Sequence, residues 1–126
     1  MINVALFGFG RIGQMHAENL NKNKEIKLLY VYEKINQLSS KAKKLYGCKI
    51  EKNYNKIFND NKVDIVFISS STNTHIKFIE EGIKRKKTIF CEKPLDLNIK
   101  KIIKTLKKVK KLKPKIQLGF NRRYDP

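Results

Sequence analysis

Acidic residues are scarce in this chain of 126: eleven Asp and Glu stand against twenty-nine Lys and Arg, a formal charge of +18. Tryptophan is absent, and there are only two cysteines and two histidines. Each shortage excludes something. Cys48 and Cys91 lie far apart and match no metal-ligand spacing, so no metal is expected and the ordinary reading is free thiols in a reducing compartment. No run of about 18 apolar residues exists, which excludes a membrane-spanning helix. The chain enters its first apolar segment without a basic-then-apolar leader, so no secretory signal is expected and a cytoplasmic location is. A field this basic draws in nucleic acid, anionic membranes or phosphorylated ligands. Arginine, however, occupies only positions 11, 85, 122 and 123, the rest of the excess is lysine, and no nucleic-acid motif accompanies it. The pattern reads as lysine accumulated on solvated faces, and a nucleic-acid partner is not expected.

What is present begins with Val4-Ala-Leu-Phe-Gly8-Phe9-Gly10-Arg11-Ile12-Gly13. An apolar strand runs into Gly-x-Gly-x-x-Gly, and an amphipathic stretch follows. The physics of this turn is specific. Gly8 permits a bend that a Cβ blocks, Gly10 lets backbone approach a pyrophosphate, and Gly13 lets the next helix pack on the strand. The helix N-terminus then presents free N–H groups and a positive dipole end to phosphate. Strand before and helix after are the context that separates a dinucleotide turn from a glycine turn made for packing.

Alternation of short apolar segments with amphipathic ones continues to the end. Strands are expected near 2–7, 26–32, 63–69, 87–91 and 115–119, with a short one near 48–50. Helices are expected near 11–22, 36–46, 54–60, 75–86 and 98–112. Segments apolar on both faces, such as Val63-Asp-Ile-Val-Phe-Ile-Ser69, belong to a buried parallel sheet. The expected fold is therefore α/β: a doubly wound, mostly parallel Rossmann sheet with helices on both faces. Residues 1–126 form one domain, with no repeat and no flexible linker. In 99–112, Ile99, Ile102, Ile103, Leu106, Val109 and Leu112 fall at helical spacing, and lysines fill the rest. This predicts one apolar face and one solvated basic face.

Ligands of such sheets sit beyond the carboxyl ends of the strands. The chemically distinctive residues gather there. Glu33 stands twenty residues past Gly13, where a carboxylate accepts hydrogen bonds from ribose hydroxyls and repels a 2′-phosphate. NAD is the expected cofactor, with room left for NADP by Lys34 alongside. Ser69-Ser70-Ser-Thr72-Asn73-Thr-His75 offers small hydroxyl and amide residues that let a cofactor approach, and also suits helix capping. Cys91-Glu92-Lys93-Pro94 places an ammonium at a strand end, where it can reach a substrate hydroxyl. Taken alone, Lys93 is one more surface lysine. Gly119-Phe-Asn-Arg122-Arg123-Tyr124 pairs two guanidinium forks suited to polyhydroxylated or anionic ligands, with Tyr124 expected to pack below the sheet edge.

These stretches, GFGRIGQMHAENL, SSSTNTHIKFIEEGI, TIFCEKPLDL and QLGFNRRYDP, resemble the N-terminal half of the glucose–fructose oxidoreductase/inositol dehydrogenase family, in order and spacing over the whole chain. The Glu-Lys-Pro and Gly-Phe-Asn-Arg-Arg segments carry the resemblance beyond a general Rossmann pattern. It implies that Gly8, Gly10 and Gly13 cradle the pyrophosphate with Arg11 and Ile12 beside it, that Phe9 belongs to the same cofactor-binding turn, and that Glu33 binds the adenosine ribose. Ser70, Thr72, Asn73, His75 and Glu92 would line the cofactor groove. Lys93 would be catalytic, touching both the cofactor and the substrate. Arg122 or its neighbour Arg123 would face a polyol or sugar, and the Lys-Pro bond would be cis. The implied reaction is hydride transfer from a ring secondary alcohol to NAD. Family members continue into a second α/β domain that supplies the acid–base residues, most of the substrate pocket and the homo-oligomer interface; none of it falls within these residues. A non-catalytic dinucleotide binder is the alternative expectation.

Overall fold

A computed structural model describes residues 1–126. The first segment, β1 (Ile2–Phe7), has its last four residues buried and alternates its side chains between two faces. Ala5 and Phe7 point into one apolar cluster, while Leu6 points into the other. A strand buried on both faces belongs at the centre of a sheet, and β1 is there. It pairs in parallel with β2 (Ile26–Tyr32) on one side and with β4 (Ile65–Ile68) on the other. The two-residue β3 (Lys49–Ile50) lies outside β2, and β5 (Thr88–Glu92) and β6 (Ile116–Gly119) continue past β4. The order β3-β2-β1-β4-β5-β6 is that of the doubly wound Rossmann sheet, and every pairing is parallel.

Right-handed crossovers then dictate where the helices go. From β1 the chain moves outward through α1 (Arg11–Lys22) and α2 (Asn36–Tyr46), which cover one face. Their Ala17 and Ala42 lie against Leu6, Leu28 and Val31. After α3 (Tyr54–Asn59) the chain crosses back to the centre and winds the other way. Accordingly, α3 and α4 (His75–Lys84) bury Ile57, Phe58, Phe78 and Ile79 on the opposite face. There Phe7 meets Tyr32, Phe58 and Phe78 with ring centroids 4.8–5.2 Å apart. The reversal falls between β1 and β4, which opens a crevice at their carboxyl ends.

The last helix, α5 (Ile99–Leu112), departs from expectation. Only Thr105 is buried; Ile99, Ile103, Leu106 and Leu112 are 48–65% exposed. Instead of one broad apolar face, the helix turns a narrow strip around Ile102, Thr105 and Val109 inward. Its neighbour is α4, to which Lys108 is tied through Glu80 at 2.8 Å. A helix flanking the outer strands of the sheet has little surface to cover. Two boundaries also shift. The fourth strand begins at Ile65, because the Asp64 carboxylate takes the Asn3 amide at 2.8 Å. The fourth helix begins at His75 as expected, after a 3-10 turn over Thr72–Thr74, but ends at Lys84 rather than at 86. No helix is long and apolar enough to cross a membrane.

Candidate functional site

The three glycines of the first turn do different work. Gly8 has φ +93°, and a Cβ on it would lie 2.6 Å from the Ser70 Cα. At Gly13 a Cβ would lie 2.1 Å from the Gly8 carbonyl oxygen. Both are demands of the fold, since neither backbone can retreat. A Cβ on Gly10 would meet nothing within 4 Å. Gly10 therefore leaves open a space that packing does not require, directly at the start of α1. No side chain caps that helix, and no acidic residue occupies its first turn. Its first N–H groups and its dipole are thus available to an anion. Arg11 and Ile12 are exposed beside them, whereas the Phe9 side chain is fully buried.

On the β2 side, Glu33 is held rigidly. One carboxylate oxygen accepts the Phe9 amide and the other the Ile35 amide, both at 2.9 Å. The Phe9 N–H is therefore committed to Glu33 rather than free for phosphate. Each oxygen keeps a second lone-pair direction, so the carboxylate can still accept from hydroxyls. Glu33 lines a cavity of about 440 Å³ together with Gly8, Gly10, Tyr32, Ser70 and Thr74. Lys34, Ile35, Leu38 and Lys77 also line it, and of these only Lys34 stands out in the sequence.

On the other side of the switch point, a smaller cavity of about 290 Å³ holds Ile12, Thr72, His75, Glu92 and Lys93. Ser70 joins both cavities. Its hydroxyl pairs with that of Thr74 at 2.7 Å, and Thr74 Oγ1 donates to the Ser71 carbonyl at 2.6 Å. The loop's hydroxyls thus bond to one another instead of capping α4, which has no side-chain cap. His75 is 2% exposed. Its Nδ1 faces the Pro94 carbonyl at 2.7 Å and its Nε2 the Ser70 carbonyl at 2.8 Å, so it lies between the two loops. Asn73 is exposed on the 3-10 turn and lines neither cavity. The Lys93–Pro94 peptide is cis.

Beyond β5 and β6, Lys93, Arg122 and Arg123 come together around an open concavity of about 830 Å³. Asn121 lines both this concavity and the smaller cavity, joining the two. Tyr124, at the end of the 3-10 turn Asn121–Tyr124, is 79% exposed and does not pack under the sheet. Beneath the site, burial pushes the Cys91 thiol up to about 12, with the Glu92 carboxylate adding to the effect.

Among the residues of this region that sequence reasoning missed are Asn121, His16 and Met15. Asn121 was hidden between a phenylalanine and two arginines that drew the attention. His16 lies four residues after Ile12, on the same face of α1, and lines the same cavity; the i, i+4 spacing was the available signal.

Residues 2–120 match the family model described as "Oxidoreductase family, NAD-binding Rossmann fold". The chain is 35% identical over 125 residues to inositol 2-dehydrogenase of Rhizobium meliloti, covering 99% of itself and 38% of that protein. It is 37% identical over 126 residues to myo-inositol 2-dehydrogenase of Thermotoga maritima, covering 98% of itself and 37% of the relative. Among solved structures it resembles scyllo-inositol dehydrogenase of Lactobacillus casei with bound NAD(H) and scyllo-inositol. The TM-score is 0.92 at 31% identity, covering 99% of this chain and 38% of that one. The chain thus spans under two fifths of the length of these relatives.

Proposed function

The chain belongs to the oxidoreductase family of glucose–fructose oxidoreductase and inositol dehydrogenase, and from that premise we propose that residues 1–126 are the cofactor-binding domain of an NAD-dependent cyclic-polyol dehydrogenase. The observation that carries the cofactor part is the open space at Gly10 against an uncapped α1, which fits a pyrophosphate. The amides of Arg11, Ile12 and Gly13 would hold that pyrophosphate. Glu33, anchored by two amides, would receive the adenosine ribose hydroxyls and disfavour a 2′-phosphate. Ser70 and Thr72 would line the middle of the groove, with His75 supporting it. When bound, the nicotinamide supplies the hydride acceptor.

The substrate part rests on the relatives, whose names are those of inositol dehydrogenases, and on the group at the ends of β5 and β6. Lys93 would donate a hydrogen bond to the reacting hydroxyl and, as an ammonium, favour its loss of a proton. Arg122, Arg123 and Asn121 would bind the remaining hydroxyls. Ligand-observed NMR with myo-inositol, in the presence of saturating NADH, tests this directly. Binding that is abolished by Lys93→Ala, while NADH still binds, is the expected result. Binding of myo-inositol that is indifferent to Lys93 would contradict the substrate assignment.

A further inference from the structure

His16 has no role in the reading so far, yet its surroundings are tightly built. It projects from α1 toward the sheet and is 16% exposed. Its ring centroid lies 4.6 Å from that of Phe67 and 5.7 Å from that of Phe90. Those two rings, neighbours on β4 and β5, stack on each other at 4.0 Å. Nε2 of His16 lies 2.7 Å from Glu92 Oε1. An ionised carboxylate only accepts, so the Nε2 proton is the donor. The other oxygen, Glu92 Oε2, accepts the Lys93 amide at 3.3 Å. Gly119 makes room for this carboxylate, since a Cβ there would stand 3.1 Å from it. One residue on, the Pro94 carbonyl is taken by His75 at 2.7 Å. The turn Glu92–Lys93–Pro94 is therefore gripped twice: at a side chain from α1 and at the backbone from α4.

We infer that His16 is a positioning residue for the nicotinamide end of the site, acting through Glu92 to fix the turn that carries Lys93. The inference rests on the cofactor reading above. A dinucleotide whose adenosine lies at Glu33 and whose pyrophosphate lies at α1 must cross the switch point toward β4 and β5. The wall it then meets contains His16, Thr72, Glu92 and Lys93. Ile12 and Met15 are on the same wall, 38% and 49% exposed, as apolar surface for a flat ring to cover. A histidine serving packing alone would need the two phenylalanines. It would not need a charge-assisted hydrogen bond to a carboxylate that faces the cavity.

The test compares two ligands on the whole chain. NADH reaches both halves of the groove, whereas ADP-ribose lacks the nicotinamide. His16→Phe keeps an aromatic ring against Phe67 and Phe90 and removes the donor; His16→Gln keeps an N–H at the position of Nε2 and removes the ring. Loss of one charge-assisted hydrogen bond predicts that H16F weakens NADH about tenfold and lowers the fluorescence enhancement of the bound nicotinamide. ADP-ribose affinity stays within about twofold, and H16Q recovers most of the NADH affinity. Equal losses for both ligands, or no loss for either, would overturn the inference. Should H16F not fold, His16→Leu replaces it in the same comparison. Failure of the unmodified chain to bind ADP-ribose would instead refute the cofactor reading itself.

Discussion

At the scale of single residues, Gly8, Gly10 and Gly13, close in sequence but different in role, carry the clearest consequences. Gly13→Ala forces a Cβ to 2.1 Å from a carbonyl oxygen that cannot move without breaking the turn. It is expected to destabilise the fold by on the order of 3 kcal/mol, visible as a lower melting temperature. Gly10→Val, in contrast, projects into open space and leaves the melting temperature unchanged. The sequence motif marks all three positions, and their chemistry distinguishes them in advance, because steric need follows from the turn. What the motif does not reveal is that the Phe9 amide is already spoken for. That depends on Glu33, twenty-four residues away, reaching back across the sheet. Cys91 adds a pH dependence. Its thiol is fully buried and held up to about 12 in the fold, against about 8.5 in an unfolded chain. The folded state thus keeps a proton that the unfolded state has lost. The contribution is fully present below about 8.5 and is lost as pH rises toward 12, so stability falls across that window. Cys91→Ala should flatten this alkaline decline in denaturant titrations. In the native chain, iodoacetamide should leave Cys91 unlabelled at pH 8.

At the scale of elements, the termini of helices were legible only in part. Asn98 behaves as an Asn before a helix should: its side-chain oxygen accepts from the amides of Lys100 and Lys101. Asn98→Ala should cost about 1 kcal/mol, measured by chemical unfolding. The hydroxyls of residues 70–74 had the same capping chemistry available, but they bond to one another in a 3-10 turn. Local propensity cannot choose between those two uses. The apolar face of α5 shows a different limit. Periodicity gave the right helix, since Ile102 and Val109 fall on its inward strip. It could not tell how much of the apolar arc a neighbour would cover, because that depends on how far α5 sits from the centre of the sheet. Ile103→Ser on the outer arc should therefore change stability by less than about 0.5 kcal/mol.

At the scale of the whole molecule, the order of strands followed from two simple facts: strands apolar on both faces, and right-handed crossovers. Together these leave little choice but a doubly wound sheet with its crevice between β1 and β4. The same topology gathers Gly10, Glu33, Thr72, Glu92 and Lys93 along one edge from distant parts of the chain. The site was legible where a residue's chemistry is unusual for its place, as with a carboxylate or a lysine at a strand end. It was not legible at His16, whose meaning lies in a contact with Glu92, seventy-six positions on. Beyond the basic residues that line this edge, the charge of +18 is spread largely over exposed lysines such as those along α5.

The most direct measurement is a calorimetric titration of the chain and of its Gly10→Val variant with NAD, at near-physiological salt and with NADP as the comparison. Saturable one-site binding of NAD, tighter than that of NADP and abolished in a variant that melts at the same temperature, is the predicted result. A folded chain that binds neither dinucleotide, or binds NAD equally well with valine at position 10, would contradict the assignment of this crevice.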